Sequence, residues 1–220
     1  MWTFFTADAA RGILYMPLGS ANNDYYGVDR QGANLFANSL VAVDVLTGKL
    51  KWWFQVIHHD LWDYDLPVPP ILFDVVRDGK TIPAVGTMSK MGMLFILDRE
   101  TGKPVYGVAE RPVTKGDVPG EYYSPTQPFP VKPPPLSRLS FTLEDVARLT
   151  PGHEKACREL LAKYDGGHNR GPFTPATAEG ALVMPTTQGG ANWSGNTFHA
   201  ALGYYIINTT DSAGISNPCQ

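Results

Sequence analysis

The sequence predicts an all-β fold, a radially repeated sheet protein of the β-propeller kind, on three observations. Gly 22 and Pro 19 in 220 residues make a heavy turn load, while 43% hydrophobic and 11% aromatic residues supply material for a core. One pattern occurs twice, Asp44-x-x-Thr47-Gly48-Lys49-x-x-Trp52 and Asp98-x-x-Thr101-Gly102-Lys103-x-x-Tyr106, with its copies 54 residues apart. Hairpin-like segments with Gly and aromatic punctuation recur at roughly 40 to 55 residues, the interval of sheets repeated about an axis. The mixture argues against a helical bundle and against disorder; a β-sandwich is the alternative that remains.

In chain order, Ala9-Ala10-Arg11-Gly12 turns into the apolar strand Ile13-Leu14-Tyr15. Leu40 to Val45 reads as a strand. It runs into a tight turn whose Asp and Thr bond local backbone while Gly takes positive φ, then a return strand Lys51 to Val56 carrying Trp52. Met93 to Leu97 repeats this, with a return strand opened by Lys103 and carrying Tyr106. Pro125 to Pro135 is proline-rich, hence extended and poor in ladder donors, and is expected to be a loop serving as a rigid spacer. Thr142-Leu143-Glu144-Asp145 and Thr150-Pro151-Gly152-His153-Glu154 read as N-caps with acidic first turns. Ala156, Cys157, Leu160, Leu161 and Tyr164 follow at helical spacing until Gly166-Gly167. Gly180 and Gly203 each precede another apolar strand. The expected organisation is one partial propeller domain, 1–220, with hairpins around 9–56, 84–106 and 180–210 and a Pro-rich, helical insertion at 107–175.

Charged residues are 18% of the chain and the formal net charge is −3, which offers no electrostatic footprint for nucleic acid or anionic lipid. No apolar run approaches the roughly 20 residues of a membrane-spanning helix. Met1 to Leu18 contains Asp8, Arg11 and Pro17 and lacks the pattern of an export signal, so the expectation is a cytoplasmic protein or a chain whose true beginning is missing. Cys157 and Cys219 lie in no C-x-x-C pair, which removes thiolate zinc sites and disulfide scaffolds; a bridge between them is disfavoured by their helical and penultimate positions.

The chemistry concentrates in His58-His59-Asp60-Leu61-Trp62-Asp63-Tyr64-Asp65, just beyond a strand end. These polar groups could simply cap strands and bond neighbouring backbone. A metal site is a second reading, weakened because the carboxylates miss the calcium-loop spacing and adjacent histidines on an extended chain face apart. A third is one carboxylate in a partly dry aromatic setting, where desolvation raises its pKa toward that of a general base.

This octad, with Tyr122-Tyr123-Ser124-Pro125-Thr126-Gln127-Pro128-Phe129 and Gly189-Gly190-Ala191-Asn192-Trp193, resembles the pyrroloquinoline quinone (PQQ)-dependent dehydrogenases, most of all the membrane glucose dehydrogenase branch. The resemblance implies that Asp63 is the catalytic base, taking the hydroxyl proton as hydride leaves carbon for the quinone. It implies that Lys90 donates to the quinone oxygens and steadies the charge of the reduced cofactor, that Trp2 floors the ring, and that Asn192, with Trp193 beside it, bonds the quinone. Calcium is the implied Lewis acid, with Asp63 as a ligand; Ser20 stands where related methanol dehydrogenases place an asparagine ligand, and a hydroxyl is the poorer donor.

The family's glutamate ligand and several cofactor contacts would come from blades upstream. Family members close a ring of about eight blades, whereas this length holds about three or four, so the chain reads as a partial arc of a longer protein. The implied partners are a sugar or alcohol substrate and a quinone or cytochrome electron acceptor. The implied location is periplasmic, or on a membrane facing the periplasm through segments beyond this chain. Two rival functions stay open: a non-catalytic propeller scaffold, and a sugar-binding module on Trp52, Trp53 and Trp62, whose hairpin positions fit blade packing better.

Overall fold

The computed structural model describes residues 3–164 and 169–217. Trp2, Gly166, Gly167 and Cys219 lie outside the described residues. The first sheet is a four-stranded antiparallel meander of β1 (Thr6–Asp8), β2 (Ile13–Pro17), β3 (Ser39–Asp44) and β4 (Leu50–Gln55), paired in chain order. The second contains β5 (Ile71–Arg77), β6 (Lys80–Met88) and β7 (Leu94–Asp98), also antiparallel and in order.

The repeated motif has the same construction in both sheets. Asp44 Oδ1 accepts from the amides of Leu46 and Thr47 at 3.2 and 2.9 Å and from the Thr47 hydroxyl at 2.8 Å. Asp98 Oδ1 accepts from Glu100, Thr101 and the Thr101 hydroxyl, each at 2.9 Å. Gly48 and Gly102 then take φ of 68° and 70°, left-handed values that an L side chain resists. The two motifs also interlock. Trp52 lies so close over Gly102 that a Cβ there would come within 2.6 Å of its ring, and its indole N–H donates to the Arg99 carbonyl at 3.0 Å. The Arg99 guanidinium spans the sheets, reaching Asp8 at 3.0 Å and Asp74 at 2.9 Å.

Three expectations need correction. The second return strand does not form as such: pairing is reduced to a single bridge, Leu97 to Pro104, flanked by the bonds from Asp98 N to Lys103 O and from Val105 N to Ile96 O. The segment from Pro125 onward is not all loop, because β9 (Thr126–Pro130) pairs with β8 (Val108–Pro112). The ladder bonds Val131 N to Gly107 O and Val113 N to Pro125 O place the bonded pairs at odd positions of this strand, so the rings of Pro128 and Pro130 fall where the amide would point away from the partner. The region expected as one hairpin at 180–210 divides into two ladders. In these, β10 (Ala181–Val183) pairs with β13 (Gly214–Ser216), and β11 (Asn196–His199) with β12 (Tyr204–Ile207).

The insertion carries a short 3-10 turn at Leu143–Asp145, closed by a reciprocal Thr142–Asp145 capping box. The helix α1 (Pro151–Leu161) begins with Pro at its start and with the Thr150 hydroxyl accepting from His153 N at 3.1 Å. Cys157 Sγ lies 3.6 Å from His153 Nε2 on that helix. The main core gathers Tyr15, Trp52, Trp62, Tyr64, Met91, Phe95, Phe129 and Phe173 between the sheets and the insertion. Trp52 and Trp62 are therefore buried as packing residues, while Trp53 on the same strand as Trp52 stays 46% exposed.

Candidate active site

The octad lies in the irregular connection from β4 to β5, where buried Leu61, Trp62, Tyr64 and Leu66 anchor it in the core. Trp62 donates its indole N–H to Thr174 O at 2.7 Å, and the Tyr64 hydroxyl donates to Pro185 O at 2.5 Å. Asp60 organises the segment from inside. Its buried carboxylate accepts from Trp62 N at 2.9 Å, Tyr64 N at 2.7 Å and Asn38 Nδ2 at 2.7 Å, and from the Ser20 hydroxyl. Those bonds curl the chain around Asp60 and leave Asp63 at the tip in a left-handed conformation, φ 59°, which Asp tolerates better than most residues.

Lys90 enters from the turn after β6, its amide bonded to Asp65 O at 2.9 Å. Its Nζ lies 2.8 Å from Asp63 Oδ2 and 2.9 Å from Asp65 Oδ2; the three side chains are 6%, 21% and 9% exposed in the order Lys90, Asp63, Asp65. Asp65 is further fixed by the Ser20 amide, which donates to its Oδ1 at 2.7 Å.

The two carboxyls are thereby driven apart. Burial, reinforced by the negative charge of Asp65, outweighs Lys90 and pushes Asp63 up to about 7. Asp65 feels burial too, but the Ser20 amide and Lys90 outweigh it and hold it below the usual carboxylate range. Burial opposes the Lys90 ammonium, yet its two carboxylates raise its pKa overall. Asp24 is raised by burial and by the charge of Asp65. Near neutral pH the triad thus holds a fixed charge pair and one carboxyl poised to gain or lose a proton, the condition general-base chemistry needs.

The other expected residues sit on a loop laid against Lys90. Gly190 N donates to Lys90 O at 2.6 Å, and a Cβ on Gly189 would come within 2.6 Å of Lys90 Cβ, so this approach requires glycine. On that loop Asn192 spends its amide locally: Nδ2 donates to Gln188 O at 2.7 Å, and Oδ1 accepts from Trp193 N at 2.7 Å. Trp193 is 75% exposed. Ser20 joins the cluster through its backbone amide, while its hydroxyl is turned to Asp60. Among the described residues no group of three or more His, Cys, Asp or Glu is arranged to hold a metal ion.

Sequence reasoning missed Asp65 as the second partner of Lys90, although its place two residues from Asp63 was a usable signal. It also missed Tyr25, whose hydroxyl lies 3.5 Å from Asp63 Oδ2 and bonds Thr187. No short motif marks that contact.

Residues 1–218 match the family described as PQQ: glucose/ethanol/alcohol dehydrogenase, beta-propeller domain. Quinate/shikimate dehydrogenase (quinone) of Acinetobacter baylyi is 36% identical over 211 residues, covering 94% of this chain and 26% of that protein. Quinoprotein glucose dehydrogenase of Escherichia coli is 35% identical over 203 residues, covering 88% of this chain and 24% of the relative. Among solved structures, a quinohemoprotein alcohol dehydrogenase from Pseudomonas putida superposes with a TM-score of 0.64 at 20% identity, covering 98% of this chain and 26% of that one. That likeness shows the fold, in which the sheets are blades of a partial propeller. The chain spans about a quarter of the length of these relatives.

Proposed function

The chain belongs to the β-propeller family of PQQ-dependent glucose, ethanol and alcohol dehydrogenases, and on that premise we propose that it supplies the proton-abstracting side of a site that oxidises a hydroxyl of a sugar, an alcohol or a quinate-like polyol. One observation carries the reading: a half-buried carboxyl, Asp63, held by Lys90 at 2.8 Å and raised to about 7. A base with a pKa near the working pH has both an adequate unprotonated fraction and enough basicity to draw a hydroxyl proton. PQQ, when bound, would supply the hydride acceptor.

The donor set fits a flat, anionic quinone. Lys90 would meet its oxygens as a cation, and Asn192 with the exposed Trp193 indole would border it. As hydride departs, Asp63 takes the substrate's hydroxyl proton at its carboxylate, and the ammonium of Lys90 lowers the cost of negative charge nearby. Trp2, the implied floor, lies outside the described residues. Calcium does not fit the described residues of this chain alone. Ser20 directs its hydroxyl to Asp60 and Asp63 faces Lys90, so no step here is assigned to a metal. Electrons leaving the site would pass to a quinone or cytochrome acceptor. No helix among the described residues is long and apolar enough to cross a membrane.

The test is Asp63→Asn in the intact protein that carries this chain, supplied with PQQ and Ca²⁺. Dye-linked oxidation of glucose, quinate or ethanol is expected to fall by about a thousandfold or more while quinone absorbance is retained after desalting, within the range general-base catalysis commands. Undiminished turnover in that variant removes Asp63 from the mechanism.

A further inference from the structure

His59 and Glu121 form a buried pair that the reaction just described does not use. Their side chains are 0% and 2% exposed, with Nε2 3.1 Å from Oε1. Nδ1 of His59 faces the Gly32 carbonyl at 2.7 Å, and a carbonyl only accepts, so Nδ1 carries a proton. The Glu121 carboxyl accepts from two backbone amides, Gly27 N at 2.6 Å on Oε2 and Tyr122 N at 2.9 Å on Oε1. Gly27 is glycine for a reason of space: a Cβ there would stand 2.7 Å from His59 Nε2. Two residues before it, Tyr25 sends its hydroxyl to Asp63 Oδ2, the same oxygen that Lys90 holds.

We infer that Glu121, gripped by His59, is a positioning residue of this site: by fixing the Gly27 amide it sets Tyr25 against Asp63, and so the direction in which the base faces the substrate hydroxyl. The inference rests on the Asp63 reading above. Lys90 at 2.8 Å and Tyr25 at 3.5 Å approach one carboxylate oxygen from two elements, which favours one rotation of the group. Glu121 touches no reacting atom and acts only through the loop it holds. A misplacement of about 1 Å at a reacting centre can cost on the order of a hundredfold in rate, so a clamp 94 residues away in sequence from the loop it holds is enough to matter.

The experiment uses Glu121→Gln, Tyr25→Phe and their double variant in the intact, PQQ-loaded protein, with amide hydrogen exchange of residues 20–32 measured in the absence of cofactor. Tyr25→Phe is expected to lower kcat about tenfold with KM nearly unchanged. Glu121→Gln is expected to lower kcat by roughly ten- to a hundredfold and to speed exchange in residues 20–32, with PQQ still bound. Because both act through one contact, the double variant should be no slower than the worse single variant.

Multiplying losses in the double variant, or full kcat in Tyr25→Phe, overturns the inference. Should Glu121→Gln fail to fold, Tyr25→Phe decides alone, since Tyr25 is partly exposed and the substitution removes one oxygen. If Asp63→Asn turns over normally, the reading beneath has failed. If Asp63→Asn is inactive while Tyr25→Phe is fully active, only the positioning role has failed.

Discussion

Replacing Gly102 by alanine separates two costs that the repeated motif carries. Gly48 and Gly102 have nearly the same backbone, φ 68° and 70°, so alanine at either should cost about 1 kcal/mol for a side chain in left-handed conformation. At Gly48 nothing lies within 4 Å of an added Cβ, and the cost should end there. At Gly102 the same carbon would meet Trp52 at 2.6, 2.7 and 3.1 Å, the first two closer than real Cβ atoms come to a neighbour, so the indole must move. Displacing it forfeits its bond to the Arg99 carbonyl, about 1 kcal/mol, and adds about 1 to 3 kcal/mol of overpacking strain.

Gly102→Ala should therefore destabilise by roughly 3 to 5 kcal/mol against roughly 1 for Gly48→Ala, a gap of about 10 °C in Tm for a chain of this size. Paired thermal or urea melts followed by tryptophan fluorescence provide the assay. Equal losses at the two sites would refute the claim that Trp52 docking on Gly102 joins the blades.

Asp65→Asn removes the negative charge that helps raise Asp63, so the rise of kcat/KM with pH, expected near 7 in the parent, should move to lower pH; an unmoved midpoint in a pH–rate profile would count against the triad. Asp63 keeps its proton to about pH 7 when folded but loses it near pH 4 when unfolded. Its contribution to stability is therefore fullest below pH 4 and declines as pH rises to about 7, by at most about 1.4 kcal/mol per pH unit, and Asp63→Asn should flatten that part of a stability-versus-pH curve. Gly190→Ala would bring a Cβ within 1.9 Å of Ser137 Oγ, so it should cost roughly 1 to 3 kcal/mol, and a second change, Ser137→Gly, should restore most of the loss in the same melts.

What could be read in the sequence was local. The Asp-x-x-Thr-Gly turns follow from side chains that bond amides two and three residues ahead, and the helix start follows from Thr150 and Pro151. Asp63 and Lys90 were singled out by resemblance, and their side chains meet at 2.8 Å. The strand β5 was overlooked although Asp78-Gly79, both at positive φ, is a strong hairpin signal between two strand-forming runs. The strand β9 was hidden because proline was read as excluding pairing, when only its parity along the strand decides. Asp60, Glu121 and Ser20 gained their roles from partners 22 to 94 residues distant, and no local window contains such pairs. His58 and His59, read as a weak metal signal, instead reach Glu110 and Glu121 of the insertion.

The parity of the prolines in β9 matters beyond its own hairpin. With ring nitrogens at 128 and 130, the side of that strand turned away from β8 has no amide hydrogen at either place, so a third strand could not complete a ladder there. The sheet therefore ends at β9, and Gln127 to Pro130, all buried, are left to pack against the core with their side chains instead of extending the ladder.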